Sequence, residues 1–196
     1  MHSLSERIND AFKRERWSSA RKLIAAELDK DPENHWLISR LGTTYYEQKD
    51  YKRSLQLAKK THALKQDCPL VLWDLAGSLF ANGKTRHALR IYCNLIKNGQ
   101  RFATQKPCGE GTKWMFSLMC DCMFMMAVCH VELGNLPLAT RCLARFLEWR
   151  TKSEGGIYSG GDGISEFESI AKKHKKQQNG RELTGRNLDA LAKCTV

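Results

Sequence analysis

Cys120, Cys122, Cys129, His130 and Cys142 fall close together in the chain and invite a zinc reading. Structural zinc needs four convergent nitrogen or sulfur ligands, commonly supplied by C-x-x-C pairs. No C-x-x-C pair occurs here. Two residues apart on a helix, Cys120 and Cys122 point roughly 200° from one another, so they do not converge. Cys122 and Cys129 are seven apart and share a face, which makes one ligand pair at best. The expected role is core cysteine, since a free thiol in an apolar helix packs as a small hydrophobe. No metal and no cofactor is expected.

Catalytic patterns are equally thin. The chain holds no G-x-x-x-x-G-K-[ST] phosphate loop, no H-E-x-x-H and no G-x-S-x-G. The glycines between 155 and 163 follow no strand, so they make a weak nucleotide cradle. The six histidines (2, 35, 62, 87, 130 and 174) are scattered. The chain is not expected to be an enzyme.

The bulk properties set the remaining classes. At 196 residues the chain is long enough for one domain or a short repeat array. Hydrophobic residues at 42% and charged residues at 27% exclude a wholly disordered chain. Lys and Arg number 32 against 21 Asp and Glu, a net +11 that permits nucleic acid or acidic partners. Eight cysteines would suit a disulfide framework in a small secreted protein. The polar opening Met1 to Arg7 lacks a secretory pattern, and several cysteines lie in apolar helical stretches. A reduced, cytoplasmic protein is therefore expected. The stretch Trp114 to Val131 is apolar enough to suggest a membrane span, but Asp121 sits near its middle. A central Asp costs about 2.5–3.5 kcal/mol in a bilayer, so a buried core helix is expected and no span.

Internal repetition organises these elements. Leu75 follows Leu41, Ala76 follows Gly42 and Ala88 follows Ser54, each by 34 residues. One period earlier lie Ala20 and Trp17, with Ile8 at the position of Gly42. One unit later come Ala127, Gly134 and Ala139, displaced by about 17 extra residues, for which the stretch around 98–111 looks like the insertion. Ile38, Leu41 and Tyr45, like Leu72, Leu75 and Leu79, recur at helical spacing. Each helix pair is amphipathic and closes a core only by stacking on another. A 34-residue period of two helices, small at the eighth and twentieth positions, resembles the tetratricopeptide repeat family.

That resemblance implies an all-α, right-handed solenoid of three to four helix hairpins over residues 1–150, with an insertion at about 98–111. After it a Gly-rich loop is expected over 151–164 and a helical C-terminal tail over 165–196. Ser165 and Glu168 form a capping-box pattern for a helix to about Gln177, Asn179-Gly180 would break it, and a short helix would run from Gly185 to Ala192. The family generally binds a partner segment on the concave face of its first helices. The matching positions are Ser5, Asn9 and Phe12; Trp36, Ser39, Thr43 and Tyr46; Leu70, Trp73, Gly77 and Phe80; and Phe124 and Val128. This face is aromatic and apolar, so it suits an apolar partner segment, unless the tail helix or a second copy in a homo-oligomer covers it. Some members clamp a terminal carboxylate with basic residues, but Leu70 and Asp74 stand at those positions and only Asn9 fits. Most of the net charge lies in residues 1–110, where 20 basic and 12 acidic side chains occur. Lys52, Arg53, Lys59, Lys60, Arg86 and Arg90 fall mainly on second helices, the convex side. They are candidate anion contacts, and a nucleic-acid or ribonucleoprotein role through them is the alternative to a protein-binding adaptor, chaperone-like or regulatory subunit.

Overall fold

A computed structural model describes residues 3–105 and 111–182. The described residues form helices and connecting turns. Three hairpins come first: α1 (Leu4–Lys13) with α2 (Trp17–Leu28), α3 (His35–Glu47) with α4 (Tyr51–Leu64), and α5 (Pro69–Ala81) with α6 (Thr85–Lys97). A short α7 (Gly99–Gln105) precedes a fourth hairpin of α8 (Thr112–Glu132) and α9 (Leu136–Arg150). The last helix is α10 (Gly160–Glu182).

Side-chain size explains the pairing. Ala20, Ala76, Ala88, Ala127 and Ala139 are completely buried, at the positions where small residues recur in the sequence. A Cβ on Gly42 would stand 3.4 Å from the Cβ of Leu57, so a small residue fits between α3 and α4 and a larger one would press on Leu57. Between hairpins, Ser54 and Ser78 share a buried hydrogen bond of 2.8 Å. The Asn82 amide donates to the carbonyl of Tyr51 at 2.8 Å, tying the third hairpin to the second.

The turns repeat as faithfully as the helices. Glu15, Lys49, Gly83 and Gly134 all adopt positive φ, from 53° to 76°, at the end of each first helix. They are spaced by 34, 34 and 51 residues, the last interval enlarged by the insertion that holds α7. In each turn the next N–H reaches five residues back: Arg16 to Ala11, Asp50 to Tyr45, Lys84 to Leu79 and Asn135 to His130, at 2.8–2.9 Å. This is a Schellman closure, which requires a left-handed residue. Asp50 and Asn135 then cap the following helix by accepting the N–H of Arg53 and Leu138.

α8 is the central element of the larger core. It is 21 residues long and apolar enough to cross a membrane, with a most apolar window of mean hydropathy 1.6, but 78% of that window is buried inside the protein. Asp121 in its middle is ion-paired with Arg150 of α9. A buried core helix accounts for the apolar stretch. A smaller cluster of Ile8, Ile24 and Leu37 closes the other end, so Ile8 fills the place of a small residue by joining that cluster.

The tail differs from the sequence expectation. α10 begins at Gly160, inside the stretch expected to be loop. Ser159 caps it, its hydroxyl accepting from the Asp162 N–H at 3.1 Å and donating to the Asp162 carboxylate at 2.6 Å. This cap lies a turn and a half before Ser165, which is helical. Asn179-Gly180 does not end the helix, which continues to Glu182. The helix expected over 185–192 lies outside the described residues.

The cysteines need one correction. Cys120, Cys122, Cys129 and Cys142 are free thiols, but Cys68 is disulfide-bonded. Cys68 sits at the N-cap of α5, outside the apolar helical stretches on which the fully reduced reading rested.

Candidate partner-binding groove

The first helices α3 and α5 lie side by side and leave a cavity of about 640 Å³ between themselves, α8 and the 151–159 connection. Ser39, Thr43, Tyr46, Leu70, Trp73 and Gly77, all expected on the concave face, line it. A second recess of about 320 Å³ continues past Tyr46 and Tyr158 to Phe80, Val128, Glu166 and Ile170. Eight of the thirteen concave-face positions thus line two adjoining spaces: Ser39, Thr43, Tyr46, Leu70, Trp73, Gly77, Phe80 and Val128.

Phe124 belongs to the core and is corrected accordingly. It is completely buried, 4.2 Å from the ring of Tyr158 and 5.4 Å from that of Phe146. The chain's own tail therefore covers this part of the concave face. Gly163 permits the contact: a Cβ there would stand 2.7 Å from Cε1 of Phe146. Phe167 and Ile170 continue the seal along α10. Ser5, Asn9, Phe12 and Trp36 do not line either space. Asn9 is exposed. Phe12 packs edge-on to Trp17 at 5.3 Å, and Trp36 packs against the cluster around Ile8.

Charge enters the cavity where the sequence reading expected little. Asp74 lines it and accepts the Ser39 hydroxyl. Burial pushes its carboxyl above the usual range, against the opposing pull of Arg40 and of the Ser39 hydrogen bond. Glu47 at the rim is also raised, first by burial and then by the charge of Glu15. Burial lifts the Tyr46 phenol to about 12, so it is a neutral donor. The Tyr92 hydroxyl is completely buried and has no hydrogen-bond partner among the described residues.

Asp121 and Arg150 hold the cavity's outer wall. The Asp121 carboxylate pairs with Arg150 and accepts the N–H groups of Ile157 at 3.0 Å and Tyr158 at 3.3 Å. Arg150 also donates to the carbonyl of Gly155. Sequence reasoning used Asp121 only against a membrane span and missed its partner. A lone acid in an apolar helix is itself the signal, because a buried charge needs a countercharge and hydrogen bonds. Tyr92 and Tyr158 gave no such signal, since neither lies on a first helix.

On the convex side Lys52, Arg53, Lys59 and Lys60 are exposed on α4, and Arg86 and Arg90 on α6. Arg53 is drawn back to Asp50, 3.4 Å away, and over the ring of Tyr45. Among the described residues no group of three or more His, Cys, Asp or Glu is placed to hold a metal. Cys129 and Cys142 are pushed by burial to about 12 and about 11.

Hairpins stacked by a 34-residue period, with a concave face built from first helices, define a tetratricopeptide-like α-solenoid. No family model matches the chain, and no curated protein matches it. Among solved structures it is similar to MamA, a tetratricopeptide-repeat protein. The likeness covers 89% of this chain and 96% of that one, with a TM-score of 0.52 and 13% identity. It is a likeness of fold.

Proposed function

We propose that this chain is a protein-interaction scaffold, an adaptor, chaperone-like or regulatory subunit that receives a partner segment on its concave face. The observation that carries this reading is the 640 Å³ cavity between α3 and α5, walled by Tyr46, Leu70 and Trp73. A preformed recess with aromatic walls suits an anchoring side chain, and such anchors dominate binding energy at interfaces. The scaffold would act by holding a partner in place, with no bond made or broken.

A photo-cross-linking amino acid at Thr43 on the concave face, and separately at Lys59 on the convex face, tests the assignment in native lysate. The expected result is one protein adduct from position 43 that disappears when Trp73 is replaced by Ala. Adducts formed chiefly from position 59, with protein or nucleic acid, would transfer the function to the basic convex face.

A further inference from the structure

The cavity carries a local charge opposite to that of the molecule. Among the described residues its lining carboxylates are Asp74, Glu47, Asp121 and Glu154, and Arg40 is the one cation that lines it. Asp121 is neutralised by Arg150, and Glu154 by Lys113 at 2.8 Å. Asp74 and Glu47 remain against Arg40, which leaves one negative charge in surplus. Among the described residues Asp74 accepts only the Ser39 hydroxyl and makes no ion pair. Arg40 lies 5.9 Å from the ring centre of Phe12, and its Nε is buried without a hydrogen-bond partner among the described residues.

An independent observation points into the same space. The buried Tyr92 hydroxyl stands 3.9 Å from where a Cβ of Gly77 would be, and both residues line the cavity. Gly77 lies three residues after Asp74 on α5 and so shares its face. The absent side chain at Gly77 opens the floor between Tyr46 and Tyr92. A hydroxyl oxygen there can accept from an ammonium or guanidinium N–H. Trp73 meets Tyr92 edge-on at 5.5 Å, which adds an aromatic wall. A cation within about 6 Å of such rings gains attraction beyond its ion pair.

We infer that the cavity receives a cationic side chain, Lys or Arg, from the partner segment, with Asp74 as countercharge, Tyr92 as acceptor and the rings of Trp73 and Tyr46 as walls. This inference rests on the scaffold reading above and specifies its ligand. The +11 net charge does not oppose it, because separations beyond about 10 Å are screened at 0.1 M salt. Contact inside the cavity is set by local groups.

The test is selection of displayed random 12-residue peptides on the full chain, followed by fluorescence polarisation of the enriched sequences. Two variants separate the outcomes. Asp74→Asn keeps the Ser39 hydrogen bond and removes the charge. Gly77→Leu fills the cavity at a site with no positive φ and ordinary contact distances. Enriched peptides should share one Lys or Arg, and replacing it by norleucine or citrulline should weaken binding at least about tenfold. Asp74→Asn should cause the same loss, and Gly77→Leu should abolish binding, with melting temperature confirming that both variants fold. Lys-only or Arg-only enrichment would assign the ammonium or the guanidinium. Peptides blocked by Gly77→Leu but indifferent to Asp74→Asn would overturn the cationic anchor and leave the scaffold reading standing. Peptides indifferent to both variants would overturn the two together.

Discussion

The Asp121 carboxylate bridges three segments of the chain, pairing with Arg150 and accepting the backbone N–H groups of Ile157 and Tyr158. α8, α9 and the connection to α10 are thereby joined at one buried point. Removing one partner of a buried pair leaves the other charged and unpaired, at a cost of about 3–5 kcal/mol. Asp121→Ala should lower the melting temperature and expose Gly155-Gly156 to limited proteolysis. The double change Asp121→Leu with Arg150→Met should recover much of the melting temperature, because apolar pairs replace buried ion pairs at little cost. It should not restore protection at Gly155-Gly156, since the acceptor for Ile157 and Tyr158 is still missing.

Docking of α10 depends on the absence of a side chain at Gly163. A Cβ there would collide with Phe146, whose ring is fixed between Phe124 and the Arg150 guanidinium at 5.4 Å from each. Overpacking a filled site typically costs about 1–3 kcal/mol. Gly163→Val should detach the tail while the four hairpins remain folded. Hydrogen exchange is the discriminating measurement: faster exchange confined to 157–175 is expected, and uniform acceleration across α3–α6 would refute the local account.

The hairpin stack was legible because its causes are local and periodic. Small residues such as Ala76 and Ala127 recur where helices touch, and the apolar spacing repeats with them. The concave candidates on α3 and α5 followed from the same register. What escaped was set by contacts distant in sequence. Phe124 carries the right position number for the groove, yet Tyr158, 34 residues later and outside the repeat, covers it. Ser165 and Glu168 satisfy a capping pattern, but Ser159 with Asp162 makes the cap first, and helix propagation past Ser165 costs less than starting there. Asp74 was legible as a carboxylate where a clamp would be basic. That it makes no ion pair depends on where the Arg40 guanidinium comes to rest, over the Phe12 ring while still pulling on the carboxyl, which no local pattern specifies.

The left-handed turns contain two residues that a side chain disfavours. Glu15 and Lys49 hold φ of 53° and 63°, where Gly83 and Gly134 occupy the equivalent turns of later hairpins. Both are exposed, so their substitution removes no packing. Relief of the left-handed strain, less the entropy that glycine gains in the unfolded chain, leaves about 0.5–1 kcal/mol per site. Lys49→Gly and Glu15→Gly should each raise the melting temperature, and together they should add, because they lie in separate hairpins. Gly83→Ala should lower it by a similar amount. Thermal unfolding followed by circular dichroism checks all three, and no change in Lys49→Gly would contradict the strain argument.

Asp74 gives stability a pH dependence whose sign follows from its environment. Burial holds its carboxyl above the unfolded value of 3.8, so the folded state prefers it protonated. Above that raised value, ionising the buried carboxylate subtracts from stability, because the pull of Arg40 and the Ser39 hydrogen bond only partly offsets the burial. As pH falls through the raised folded value the folded chain takes up a proton that the unfolded chain does not, and that penalty is relieved until about the unfolded value. Asp74→Asn should melt higher than the natural chain at pH 7, and the difference should shrink as pH approaches 4. A Lys- or Arg-bearing peptide should reverse this: with a cation beside it the carboxylate is stabilised in its charged form, and the natural chain gains more from the peptide at pH 7 than at pH 4. Melting curves of both chains at pH 4, 5, 6 and 7, with and without peptide, measure the effect. A gap between the two chains that stays constant over that range would show that Asp74 does not titrate differently on folding.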